Sequence, residues 1–309
     1  MPEVKIGQYG EDVITWMRDH LGGLFDFIAS VMTHLLRWTY DVVAGLQAVP
    51  MVVVFAVIAL LATRKIGLTL VLAVGLLLVD SMGLWYETMQ SLATVLVATA
   101  AALVVGIPLG IWSAFNPVVR AAVTPLLDFM QTIPVFVYLL PTVLFFGIGP
   151  VPGVVATIVF AAPPAVRLTQ LGIRQVDAET VEASTAFGAT PIEVLREVQL
   201  PLAKPSIMAG VNQVIMLALS MVVVAGLVGG GGLGSIVVTA VQSLQIGASI
   251  EGGLAVVILA IYLDRVSAAL GGQGRANPAW WPKRRAAIGI EAAQPSPVDA
   301  KSPELVPAG

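Results

Sequence analysis

The feature that most constrains this sequence is a series of long runs that contain no charged residue. Only 11% of the 309 residues are charged, against about 25% in a soluble domain. Asp41 and Arg64 bracket 22 uncharged residues, and Lys204 and Glu251 bracket 46. Backbone polar groups find no water inside a bilayer, so runs of about 20 apolar residues are expected to form transmembrane helices. The sequence therefore predicts an all-α polytopic integral membrane protein.

Charged residues and turn signals divide the apolar sequence into seven predicted crossings. Two leading transmembrane helices occupy residues 42–86, and a domain of five further spans occupies 87–270. Asn116-Pro117 is expected to end the third crossing, because the residue before proline avoids helical geometry. The glycines and prolines of 147–153 predict the turn between the fourth and fifth crossings.

The distribution of lysine and arginine predicts the orientation of these crossings. If the turn at Arg64-Lys65 is cytoplasmic, 13 of the 16 basic residues fall on the cytoplasmic side. The loops between crossings on the other side contain none, and short loops rich in lysine and arginine stay in the cytoplasm. We therefore expect the N terminus outside and the C terminus inside, in the cell (inner or plasma) membrane.

Both ends of the chain are predicted to lie outside the membrane core. Residues 1–41 carry apolar residues at helical spacing opposite an acidic face, which predicts an amphipathic extracytoplasmic helix interrupted at the glycine pair 22–23. This helix could lie on the membrane surface, with Trp16 and Trp38 at the interface, or it could brace the bundle. Residues 271–309 are rich in Gly, Pro and Ala and are predicted to form a disordered cytoplasmic tail.

The cytoplasmic segment 168–205 is the longest polar interruption between two predicted spans, and it contains clear helix signals. Asp177 can cap a first helix over 178–187, and Gly188 suits the left-handed turn that follows it. Thr190-Pro-Ile-Glu193 has the sequence of a capping box with proline at the first helical position. Pro201 is expected to end this second helix, so the pattern predicts two short helices joined by a sharp turn.

The same segment resembles the EAA loop of the membrane subunits of ABC importers. Glu182-Ala-Ser-Thr-Ala-Phe-Gly188 is followed, after nine residues, by Val198-Gln-Leu-Pro201. The loop pattern is E-A-A, three residues, G, nine residues, I-x-L-P, and the spacing matches at every step. Ser184 replaces the second alanine and Val198 replaces isoleucine. Other stretches, among them Asp128-Phe-Met-Gln-Thr-Ile-Pro134, look like the permeases that import glycine betaine, proline, choline and related compatible solutes.

This resemblance implies a type I ABC importer permease with several partners. They are a cytoplasmic ABC ATPase in two copies, an external substrate-binding protein, surrounding membrane lipid and a second copy of this chain in a homodimer. No cofactor is expected in this chain, which is not expected to be an enzyme. ATP and Mg would bind to the ATPase, since none of the five lysines here lies in a G-x-x-x-x-G-K-[ST] motif. The residues implied in coupling to the ATPase are Glu182, Ala183, Ser184, Phe187, Gly188, Val198, Leu200 and Pro201.

Polar residues in the spans near this loop are candidates for the translocation path. Hydrogen bonding between helices explains each of them equally well. A competing interpretation is a self-sufficient secondary transporter or channel for small polar solutes. Such carriers place ionisable groups at mid-membrane, whereas the charges of this sequence cluster at predicted span ends. The path candidates are Gln131, Thr132, Tyr138, Asn212, Gln213 and Ser220.

Other classes of function find no support in the sequence. A net charge of -3 provides no basic surface for nucleic acid. The chain has no cysteine, and its two histidines, His20 and His34, match no zinc spacing, so no metal site is expected. Gly229 to Gly234 satisfies G-x-G-x-x-G, but it follows an apolar span and opens no βαβ unit. We interpret this glycine run as a flexible re-entrant turn.

Overall fold

Residues 6–271 are described by the computed structural model, and they form helices joined by short turns with no strand among them. Residues 1–5 and the predicted cytoplasmic tail from 272 onward lie outside this described part. The all-α prediction is confirmed. The helices are α1 (Ile6–Val43), α2 (Ala48–Thr63), α3 (Ile66–Ser81), α4 (Trp85–Phe115), α5 (Pro117–Thr132), α6 (Val135–Phe146), α7 (Pro150–Arg174), α8 (Ala178–Ala186), α9 (Pro191–Glu193), a π-helical turn (Val194–Gln199), α10 (Leu200–Gly226), α11 (Gly232–Gln242) and α12 (Ile246–Leu270).

Apolar helices of different lengths lie within the predicted crossings. Within the described residues, four stretches are long and apolar enough to span a bilayer, namely α4, α7, the continuous α9–α10 and α12. Two bent pairs raise this number to six: α1 and α2 meet at 95°, and α5 and α6 at 97°. The 16 residues of α3 extend about 24 Å at 1.5 Å per residue. Each of the seven predicted crossings contains one of these apolar helices, and their number and orientation stay predictions.

A side-chain cap separates α4 from α5. The Asn116 side chain accepts hydrogen bonds from the backbone N–H groups of Val118 (2.9 Å) and Val119 (3.2 Å). Pro117 occupies the first position of α5, where its missing N–H leaves no helical bond unmade. The helix of the third predicted crossing, α4, therefore ends where the sequence indicates.

The centre of the bundle is formed by α4, α7 and α10, which approach one another closely through small residues. A Cβ atom added at Gly110 of α4 would lie 2.7 Å from Cβ of Thr169 on α7, and one added at Gly172 of α7 would lie 2.7 Å from Cβ of Ser206 on α10. Lipid tails are as apolar as leucine side chains, so close van der Waals packing of this kind stabilises helix association in a bilayer.

The two leading spans are attached to the last helix of the bundle. The Tyr262 hydroxyl of α12 donates a hydrogen bond to the backbone oxygen of Phe55 in α2 at 3.0 Å. The two rings also meet edge to face, with centroids 5.5 Å apart. A buried tyrosine hydroxyl needs a partner, and here that partner belongs to a different span, which fixes how α2 and α12 align.

α1 is one uninterrupted helix of 38 residues, so the predicted break at the glycine pair 22–23 is wrong. Glycine inside a helix costs about 1 kcal/mol relative to alanine, and contacts with the bundle offset that cost. The Phe25 ring stacks on Phe145 of α6 with centroids 4.3 Å apart, and Leu36 is buried against α4 and α7. These contacts support the brace role of α1.

The surface role of α1 also has support from its exposed face. Trp16 and Trp38 are 56% and 66% exposed, which leaves both indole rings free to meet a membrane interface. The bend of 95° between α1 and α2 turns α1 across the axis of a spanning helix. One helix can therefore brace the bundle with one face and meet lipid headgroups with another.

The glycine run near residue 230 is tightly positioned and leads into a helix that the sequence did not predict. Gly231 and Gly232 have φ angles of 72° and 64°, which favour glycine. The N–H groups of Gly232 and Leu233 donate to the side-chain oxygens of Gln90 and Ser91 on α4, both at 2.8 Å. Gly231 has no side chain to cap α11, so α4 supplies the cap. The prediction of a flexible turn missed α11, because the side chains that cap this helix lie 142 residues earlier in the chain.

Replacing Gly110 with valine is expected to destabilise the bundle. The new side chain would overlap Thr169 on α7, and overpacking of a core costs about 1–3 kcal/mol. The measurement is the thermal unfolding temperature of the purified protein in nanodiscs. Gly253→Val in α12 is the matched control, because a Cβ atom there meets nothing within 4 Å. Equal unfolding temperatures for the two variants would contradict the packing role of Gly110.

Candidate functional site

The first helix of the candidate coupling site begins at a side-chain cap. The Asp177 carboxylate accepts a hydrogen bond from the Glu179 N–H at 3.0 Å, as its sequence position predicts. The helix that follows, α8, ends at Ala186, one residue before the predicted end, and it buries no side chain against the rest of the protein. α8 is therefore a surface helix that presents Glu182, Ala183 and Ser184 outside the packed bundle.

Gly188 makes the sharp turn after α8 in the predicted left-handed geometry. Its φ angle is 90°, which only glycine adopts without strain. The N–H of Gly188 donates to the Thr185 oxygen at 2.9 Å, and the N–H of Ala189 donates to the Ser184 oxygen at 3.2 Å. These bonds satisfy carbonyl groups that the end of a helix leaves unpaired, so the turn is ordered by its own backbone.

A capping box opens the second helix of the site. The Glu193 carboxylate accepts a hydrogen bond from the Thr190 N–H at 2.7 Å, and the Thr190 hydroxyl accepts one from the Glu193 N–H at 3.4 Å. The Thr190 N–H and hydroxyl stabilise the ionised carboxylate and hold the pKa of Glu193 below its usual value. This local prediction from Thr190-Pro-Ile-Glu193 is confirmed.

The second helix does not end at Pro201, so that prediction is wrong. α9, the π-helical turn and α10 form one stretch of 36 residues that runs from Pro191 to Gly226. Proline in an α-helix clashes with the carbonyl group four residues earlier, and the wider π-helical turn that precedes Pro201 relieves such crowding. Val198 and Leu200 lie half-buried at this junction. The Gly188 turn is therefore connected to a spanning helix without a break.

Two apolar side chains project from the turn between the helices. Phe187 is 94% exposed and Ile192 is 63% exposed. Isolated exposed apolar residues are common on proteins. These two, however, lie on either side of Gly188, in a polar segment whose turn and helix caps are ordered by hydrogen bonds. Ile192 was not among the residues inferred from the loop motif, because the motif says nothing about that position. The Phe187–Gly188 turn, with α8 before it and α9 after it, is the candidate coupling site.

The candidate path residues separate into two groups. Gln213 and Ser220 are exposed and lie two turns apart on one face of α10, so they can line a common path. Gln131 and Thr132 are exposed at the end of α5, next to its bend of 97° into α6.

The remaining path candidates are less exposed. Tyr138 packs with Leu139, Ala156 and Met221, and its hydroxyl is buried with no hydrogen-bond partner among the described residues. Asn212 is half-buried on α10. The contacts of Tyr138 with these apolar side chains favour a packing role for that residue.

An ion pair that the sequence did not predict connects α5 with α7. The Arg167 guanidinium donates a hydrogen bond to the Asp128 carboxylate. The two side chains remain 42% and 56% exposed, so the pair contributes at most about 1 kcal/mol to stability. It orients the bent α5–α6 segment relative to the central helix α7, beside Gln131 and Thr132.

Comparisons with known proteins agree with this arrangement. A family model described as "Binding-protein-dependent transport system inner membrane component" matches residues 106–271. The glycine betaine transport system permease protein OpuAB of Bacillus subtilis (strain 168) is 46% identical over 271 residues, which are 86% of this chain and 94% of that protein. The glycine betaine/proline betaine transport system permease protein ProW of Escherichia coli (strain K12) is 46% identical over 280 residues, 90% of this chain and 79% of that protein.

A solved structure has the same fold. It shows inward facing conformations of the MetNI methionine ABC transporter, and one of its chains matches with a TM-score of 0.55 and 23% identity. The match covers 62% of this chain and 95% of that chain. At this identity the likeness shows the fold alone.

These matches show that the chain is the membrane-spanning permease component of a transport system. The chain belongs to the family of binding-protein-dependent transport system inner membrane components. The family resemblance inferred from the EAA-like segment is confirmed, and so is the location in a cell membrane. Of the two interpretations of the sequence, these matches favour the importer permease over the self-sufficient carrier.

Acidification is expected to weaken the capping box at Thr190. The pKa of Glu193 is lower in the folded protein than its ordinary value of 4.5, so the cap is complete above that pH and is lost as the pH falls through the folded pKa. Hydrogen exchange at the Thr190 amide, corrected for the intrinsic effect of pH, should therefore accelerate in that range. Glu193→Gln is the control, because its amide does not titrate. The same pH response in both proteins would rule out this role of Glu193.

Proposed function

We propose that this chain is the pore-forming subunit of an ATP-driven ABC importer for compatible solutes such as glycine betaine, proline or choline. One observation carries the proposal: the exposed Phe187–Gly188 turn lies at the start of a helix that continues unbroken into the bundle. The names of the relatives support the class of solute, since they are glycine betaine and proline betaine permeases.

The importer would contain three further components. A cytoplasmic ATPase, in two copies, would bind ATP and Mg, and an external substrate-binding protein would deliver the solute. A second copy of this chain would complete the pore as a homodimer, because each chain carries one EAA-like segment and two ATPase subunits need two docking sites. The family description, which names dependence on a binding protein, supports this composition.

Mechanical continuity explains how the partner ATPase would act on the pore. Phe187 and Ile192 would insert into an apolar cleft of the ATPase, with Glu182 available for a basic group on that partner. Movement of the ATPase would displace α9, and the unbroken helix would carry the displacement through Val198, Leu200 and Pro201 into α10. The face of α10 that bears Gln213 and Ser220 would then change its exposure to the path.

Replacing Gly188 with valine is expected to abolish ATPase association and uptake. Valine disfavours the φ angle of 90° and would displace the turn that presents Phe187. Gly83→Val is the matched control, because Gly83 also has a positive φ (72°) and open space around its Cβ position. Co-purification with the ATPase and ATP-driven uptake in proteoliposomes are the two measurements.

A second variant separates docking from folding of the turn. Phe187→Ala keeps the backbone geometry and removes only the exposed ring, so it should insert normally and lose most of the ATPase during purification. Full ATPase recovery and uptake with both Gly188→Val and Phe187→Ala would refute the coupling site.

The predicted orientation is open to cysteine labelling, because the natural chain has no cysteine. Ala186 is exposed at the coupling site and Ser243 is exposed after α11. In intact cells, a membrane-impermeant maleimide should label Ser243→Cys and leave Ala186→Cys unlabelled until the membrane is opened. The reverse pattern would show that the lysine and arginine distribution was misinterpreted.

A further inference from the structure

A cleft of about 240 Å³ lies between α1 and α4, at the end of the bundle that is predicted to face outward. Its lining combines apolar side chains with Arg37, Tyr40, Tyr86 and Gln90. None of these residues belongs to the coupling site or to the candidate path. A cleft of this size suits a small solute. Its lining offers donors for an anion at Arg37 and Gln90, and aromatic rings that attract a cation at Tyr40 and Tyr86.

One part of the cleft is suited to a cation. The rings of Tyr40 and Tyr86 meet at 67° with centroids 5.5 Å apart, so they form two walls of a corner. The faces of aromatic rings attract cations, and quaternary ammonium groups are recognised in this way. Both rings border the cleft, and Tyr86 is 60% exposed, so a ligand can reach them.

Two carboxylates near this corner also favour a cation. The carboxylates of Asp41 and Glu87 act electrostatically on the Tyr40 hydroxyl. One carboxylate oxygen of Glu87 is buried and has no hydrogen-bond partner among the described residues. Neither carboxylate borders the cleft itself, so each would favour a bound cation through space and not by direct contact.

The other part of the cleft is suited to an anion. Arg37 lies one helical turn before Tyr40 and makes no ion pair with any residue of the described part of the chain. Gln90 uses its side-chain oxygen for the N–H of Gly232, which leaves its NH₂ group as a donor at the lining of the cleft. A guanidinium and an amide donor together suit a carboxylate.

We propose that this cleft is a binding site for a small zwitterion that carries a quaternary ammonium group and a carboxylate. The ammonium group lies in the corner that the Tyr40 and Tyr86 rings form, and the carboxylate meets Arg37. The inference rests on the proposed function, because it assigns the imported class of solute to a site on the permease itself. The permease thereby holds solute at its outer end before the solute enters the path.

The test is a binding titration of the assembled importer in nanodiscs, without ATP and without the external binding protein. Glycine betaine is the probe, and isothermal titration calorimetry is the measurement. We expect Tyr86→Leu to weaken binding about five- to tenfold, in the range of a cation–π contact, and Tyr86→Phe to retain it. Arg37→Gln and Glu87→Gln should each weaken binding. Tyr9→Leu is the control, since Tyr9 is an exposed tyrosine on the same helix outside the cleft.

A neutral isostere separates charge recognition from simple burial of methyl groups. In 3,3-dimethylbutyrate a carbon atom replaces the quaternary nitrogen, so its shape is kept and its positive charge is lost. The proposal requires this compound to bind at least about tenfold more weakly than glycine betaine. Equal binding of the two compounds, no binding of glycine betaine, or unchanged binding by Tyr86→Leu would each overturn the site. Occupation of the cleft by a phospholipid headgroup, with no displacement by glycine betaine, would overturn it too.

Uptake distinguishes failure of this site from failure of the proposed function. With the ATPase and the external binding protein present, ATP-driven uptake of labelled glycine betaine by the wild type, combined with no binding to the cleft, overturns the cleft and leaves the importer intact. No ATP-driven uptake of any compatible solute overturns the proposed function itself.

Discussion

The close approach of α4, α7 and α10 is the constraint on which the rest of this structure depends. In a bilayer the hydrophobic effect does not hold helices together, so contact between backbones must do so. Gly110 and Gly172 permit that contact on two sides of α7. The three helices then present fixed surfaces, to which α1, the α5–α6 pair, α11 and α12 attach. The proposed coupling turn depends on the same arrangement, because it continues into α10, which is one of the three.

Local signals in the sequence predicted local structure well. Asp177, Gly188 and the Thr190–Glu193 pair act on backbone groups within four residues of themselves, so their geometry follows from spacing alone. Pro201 shows the limit of this reasoning. A proline usually ends a helix, but a π-helical turn directly before it allows the chain to continue into α10. Spacing does not reveal such a turn, and the unbroken helix from the candidate coupling site into the bundle was therefore missed.

Interactions between distant residues account for the other features that the sequence did not predict. Gln90 and Gly232 are separated by 142 residues, and Asp128 and Arg167 by 39. Each residue was recognisable alone as polar or as a turn former, but nothing in a single sequence pairs them. The glycine run was interpreted as a flexible turn for that reason, although its N–H groups have defined partners on α4.

Gln90 connects two features at the same end of the bundle, the start of α11 and the cleft between α1 and α4. Its oxygen caps α11 through Gly232, and the same side chain borders the cleft that contains Arg37, Tyr40 and Tyr86. A Cβ atom at Gly231 would collide with this side chain, so glycine is required wherever Gln90 holds the cap. A solute in the cleft would therefore contact a residue that also positions α11, which packs against α10 and α12. The proposed capture of solute at one end of the bundle and the proposed movement of α10 from the other end would thus act on the same group of packed helices.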